Sequence, residues 1–96
     1  MHRDNAFLTD LETHLHALRL RIEEFGALAG HMNGDRKVEH SKWNRELQSK
    51  LRTVEDKITR LKTVDDDALW EEIKLGAQVA WNDLNETYLA ALTVFK

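Results

Sequence analysis

LTDLETHLHALRLRIEEFGALAGHM, residues 8–32, decides the fold. Within it Leu8, Leu11, Leu15, Leu18, Ile22, Phe25, Ala29 and Met32 follow one another in steps of three and four, and all eight are apolar. Steps of that size bring the whole series to one side of a helix with 3.6 residues per turn. Their alternation is the seam by which one helix lies along another.

Two further seams lie downstream. Trp43, Leu47, Leu51, Val54, Ile58 and Leu61 are spaced four, four, three, four and three apart. The extra four-step is a stutter that relaxes a left-handed supercoil. It puts Lys50 beside the seam, with its stem on apolar surface and its amine in water. The last third is the most apolar. One row reads Trp70, Ile73, Ala77, Ala80, Leu84, Thr87, Ala91 and Val94, and a second row of Trp81, Tyr88 and Phe95 runs beside it at intervals of seven. Gly76, Ala77 and Ala80 are small enough to let a partner helix come close. This face is wider than a two-stranded seam requires.

Asn33-Gly34 marks the first break, since both residues tolerate positive φ, and Asp35 is placed to cap the second helix. The second break is Thr63-Val-Asp-Asp-Asp67, where Thr63 and Asp66 resemble a capping box. Asp65, Asp66 and Asp67 would meet the partial positive charge of a helix start, and Lys57, Arg60 and Lys62 the negative end of the helix before. The spacing predicts helices over about 5–32, 36–62 and 66–95 within a single domain, 1–96. Equal lengths and short connections predict an all-α, antiparallel, up-down-up three-helix bundle with coiled-coil-like packing. The alternative is a long helical hairpin that dimerises, because the second break lacks glycine and proline and a helix could run through Gly34.

Composition agrees. The 96 residues include no proline, no cysteine and only four glycines. Long helices go uninterrupted, and disulfides and thiolate chemistry are excluded. No apolar run comes after Met1-His-Arg-Asp-Asn5, so no signal peptide is expected, and no run is long enough to span a membrane. A cytoplasmic setting is the expectation. Net charge is −3, against general nucleic-acid binding. The charge is unevenly placed: three basic and five acidic side chains in 1–33, nine and five in 34–64, two and seven in 65–96. A basic middle helix between two acidic ones favours contact with both.

Catalytic and metal chemistry find little support. Of the histidines (His2, His14, His16, His31 and His40), His14 and His16 point to nearly opposite sides of a helix. No Glu-x-x-His pair of the di-iron bundle type occurs. Glu12 and His16 share a face, short of the three or four ligands zinc needs. Ser41 and Ser49, the only serines, lack an elbow motif, and there is no glycine-rich phosphate loop. The sequence therefore predicts no catalytic, cofactor-binding or metal residues. Asn85-Glu-Thr87 matches a glycosylation sequon inside a predicted helix and is taken as coincidence.

What remains is association. The aromatic row either packs helix three against both neighbours or forms a face, Trp81, Leu84, Tyr88, Leu92 and Phe95, that closes a homodimer. The second function class is a small-molecule or cofactor binder, using a gap among Trp70, Ala77, Ala80 and Trp81, where bulky rings stand beside small residues.

The last third also resembles a pattern in small, mostly uncharacterised bacterial coiled-coil proteins, some of them linked with stress responses. It reads Asp67-Ala-Leu-Trp70-Glu-Glu-Ile-Lys-Leu-Gly76, then Ala80-Trp-Asn-Asp-Leu84, and covers about 30 residues. The resemblance implies a helical fold and an interaction role and supplies no catalytic residues. Asn33-Gly34 interrupts what in such proteins often looks like one continuous helix.

Overall fold

α1 spans Asn5–Ala27, α2 Gly34–Thr63 and α3 Asp67–Val94 in the computed structural model, which describes residues 5–95. A short 3-10 turn, Leu28–His31, closes α1. Among the described residues there is no strand. Side-chain contacts give the directions. Phe25 near the end of α1 stacks on His40 near the start of α2, and Lys62 at the end of α2 reaches back to Glu12. Lys50 meets Asp83, and Arg36 lies over Phe95, so α3 is antiparallel to α2. α1 and α3 therefore run parallel, meeting at Phe7 and Lys74, at His14 and Trp81, and at Phe25 and Phe95. The result is the up-down-up bundle, 54 × 19 × 18 Å, and not the dimerising hairpin.

The seams form the core. Leu11, Leu15, Leu18, Ile22 and Phe25 are buried from α1, and Leu47, Leu51, Val54, Ile58 and Leu61 from α2. The ends of the first seam, Leu8, Ala29 and Met32, are half-buried, as is Trp43. α3 departs from its expected register. Its core line runs Trp70, Ile73, Ala77, Leu84, Tyr88 and Ala91, while Thr87 is half-buried and Val94 exposed. Beyond Leu84 the line takes Tyr88 from the aromatic row and keeps Ala91 from the first, because α3 packs against both other helices.

The ends show further differences. α1 stops being α-helical at Ala27, about five residues before the predicted end. Gly26 and Gly30 are the least helix-favouring residues of that turn, and the Phe25 carbonyl is taken by His40. At Gly34 φ is +62°, a left-handed conformation that suits glycine. Helix α2 thus begins there, and Asp35 sits in its first turn instead of capping it. The predicted capping box does not form. Thr63 belongs to α2, its hydroxyl donating back to the Thr59 carbonyl at 3.1 Å. Asp66 caps α3 alone, its Oδ1 accepting from the amides of Ala68 at 2.8 Å and Leu69 at 3.2 Å.

Candidate functional site

Two places in the bundle carry more than packing. The first is polar and inside. His40 is 1% exposed. Its Nε2–H donates to the Phe25 carbonyl at 2.7 Å, one of the carbonyls that a helix end leaves without an intrahelical donor. The carbonyl can only accept, which places the proton on Nε2. The ring stacks on Phe25, centroids 4.3 Å apart, and meets Phe95 edge-on at 5.2 Å. Asn44, one turn on, turns Oδ1 to within 3.3 Å of where a Cβ on Gly26 would stand. Neither His40 Nδ1 nor Asn44 Oδ1 has a hydrogen-bond partner among the described residues. The α2 seam thus continues upstream as two polar residues. The only sequence signal was the seven-residue step from Leu47 back to His40.

The second place is outside. α2 packs against both neighbours, whereas α1 and α3 touch through long side chains. Lys74 lies over the Phe7 ring at 5.1 Å and over Trp70 at 5.8 Å. His14 stacks with Trp81, centroids 6.2 Å apart. Between these contacts runs a groove of about 600 Å³, open to solvent. Phe7, Leu11 and Trp81 form its apolar base, with Leu75 and Val79 on its α3 side. Leu75 is 62% exposed and Val79 70%. Asp10, His14, Gln78 and Asn82 supply its polar edges.

The predicted contact face sits elsewhere. Leu84 is fully buried and Tyr88 nearly so, and Trp81, Leu92 and Phe95 are half-buried against the core. As an exposed stripe on the bundle surface that face is therefore corrected: Leu84 and Tyr88 lie inside, and Trp81, Leu92 and Phe95 pack half-buried against the core. Of the five, Trp81 alone also lines the groove. The gap imagined among Trp70, Ala77, Ala80 and Trp81 is closed. Trp70 is 2% exposed, its indole N–H donating to the Leu61 carbonyl at 3.1 Å, and Ala77 is fully buried.

Electrostatics knit α2 to both neighbours. Lys62 bonds Glu12 at 2.9 Å, and Arg19 pairs with Glu55. Lys50, expected to reach water, bridges to α3 instead. Its ammonium donates to Asp83 at 3.0 Å and to the Thr87 hydroxyl at 2.8 Å, with Glu46 at 3.4 Å. Burial pulls the Lys50 pKa down, but the carboxylates of Asp83 and Glu46 outweigh it and hold the pKa above 10.5. Among the described residues no three His, Asp or Glu side chains come close enough to hold a metal ion. None of the described helices is long and apolar enough to cross a membrane.

No protein-family model, curated protein or solved structure matches this chain. The groove must be read from its own geometry. Apolar side chains on adjacent turns of one helix, above an apolar base between two parallel helices, form the kind of trough in which another helix lays its apolar face.

Proposed function

We propose that this chain is a non-enzymatic helical interaction module whose contact site is the groove between α1 and α3. The observation that carries the reading is the exposure of Leu75 and Val79 beside an apolar base. Large exposed side chains scattered singly are ordinary, whereas two on adjacent turns bordering a groove support reading it as a contact surface. The burial of Leu84 and Tyr88 moves this proposed surface from the inner aromatic row to the outer side of α3. The resemblance of Asp67–Leu84 to small bacterial coiled-coil proteins and a cytoplasmic setting fit the same role. The open form of the groove favours a helix over a small molecule, which an enclosed pocket would bury more fully.

Site-specific photocrosslinking in the native cell tests this. A benzoyl-phenylalanine at position 79 should give a discrete adduct, and the same group at position 45, on the outer side of α2, should not. Equal adducts from both positions, or none from position 79, would overturn the proposal.

A further inference from the structure

The charge around the groove says what occupies it. α3 carries five carboxylates against one lysine, and α1 four carboxylates against two arginines. Arg19 is already paired with Glu55. Among the described residues Asp10, Glu71, Glu72 and Glu86 enter no ion pair. Asp10 lines the groove, with Lys74 over Phe7 at one end, and Glu71, Glu72 and Glu86 stand on α3 outside the lining, so the unpaired carboxylates flank the apolar trough.

A second copy of this chain fits badly. Its own α1/α3 face would bring acid against acid. Its α2 is basic, with exposed Lys42, Arg45, Arg52 and Arg60, but the only large apolar side chain exposed on α2 is Val38. One valine cannot fill a trough based on Phe7, Leu11 and Trp81. The occupant needs both properties at once: an apolar row for the trough and cations on either side of it.

We infer that the groove takes a cationic amphipathic helix supplied by a different protein. The inference rests on the interaction reading above and names the chemistry of the partner. Leu89, 54% exposed, lies further along the same face of α3 as Leu75 and Val79, beyond Asn82 and Glu86 and outside the groove lining. The groove runs from Phe7 to His14 on α1 and from Leu75 to Asn82 on α3, about 10 Å or two turns of each helix. Apolar anchors at intervals of three and four residues would meet its apolar side chains, and flanking lysines or arginines would meet Glu72, Glu86 and Asp10. Charge then sets which helices are accepted, and the apolar row how long they stay.

The test uses three synthetic helical peptides of about 18 residues, long enough to form a helix that overhangs the groove at both ends. They share one leucine row and differ only in having lysine, glutamate or glutamine at every other position. Each is titrated into the isotopically labelled full chain and followed by amide and indole NMR shifts. The lysine peptide should bind about tenfold or more tighter than the glutamate peptide. Its shifts should gather on the Trp81 indole and on residues 75–89 and 7–14, and raising the salt should weaken it. Glu72→Lys with Glu86→Lys should reverse the preference while leaving the melting curve unchanged. Equal binding of the lysine and glutamate peptides at the groove overturns the cationic partner and leaves the interaction reading standing. So does a wild-type chain that dimerises and loses its dimer on Leu75→Asp. If no peptide binds and the chain stays monomeric, both readings fall.

Discussion

The imidazole of His40 donates from Nε2 to the carbonyl oxygen of Phe25 across 2.7 Å, with the ring enclosed between Phe25 and Phe95. One side chain of α2 thus completes the end of α1 and roofs the C-terminal end of α3. His40→Leu keeps the volume but strands the Phe25 carbonyl away from water. The expected loss is about 1–3 kcal/mol, the cost of an unsatisfied buried acceptor, read from urea unfolding. A stability equal to wild type would mean that the carbonyl finds another donor.

Asp66 holds the start of α3 through two amides. Asp66→Ala should cost about 0.5–2 kcal/mol, as other N-cap deletions do, while Asp66→Asn or Asp66→Ser should recover most of it. Asp65→Ala, one residue upstream, should stay close to neutral. Thermal melts of the four variants make the comparison.

Leu84 and Trp81 separate core from edge. Leu84 is fully buried, so Leu84→Ala should cost about 2–5 kcal/mol through the cavity it leaves. Trp81 is half-buried against His14. Trp81→Ala should lower the melting temperature and also remove the base of the groove. A Trp81→Ala chain that melts like wild type would contradict the packing described for α1 and α3.

Lys50 ties stability to alkaline pH. Its pKa is raised above 10.5 in the folded chain, so folding favours its protonated form. That contribution is fully present below the unfolded-state pKa and is lost as pH rises through the folded one. The stability difference between wild type and Lys50→Met should therefore hold constant from neutral pH to about pH 10 and shrink above about 10.5. Denaturant midpoints measured across that range check the sign, and a difference that grows with pH would refute it.

The three seams were legible because an apolar row at steps of three and four leaves few other solutions, and Leu11 to Phe25 and Leu47 to Leu61 are buried as spaced. Three features were not. His40 and Asn44 interrupt the apolar row, so the α2 seam read as starting at Trp43, although burial continues upstream. In α3 two rows competed, and spacing alone could not choose between Thr87 and Tyr88. The choice depends on how α3 rotates between two neighbours. The groove was hidden for a related reason. Leu75 and Val79 lie across α3 from the Ala77–Leu84 seam and face outward by helix geometry, but the groove beside them depends on how far apart α1 and α3 stand, at the contacts of Lys74 with Phe7 and His14 with Trp81. No pattern within a single helix encodes that distance.

The account turns on Leu75 and Val79 serving a partner rather than the fold. Urea unfolding of the Leu75→Asp, Val79→Asp double variant tests this most directly. The account predicts a folded chain within about 1 kcal/mol of wild type, as for substitutions at solvent-facing positions. An unfolded chain, or a loss of several kcal/mol like that of Leu84→Ala, would show that the two side chains belong to the core, and the groove would lose its standing as a contact site.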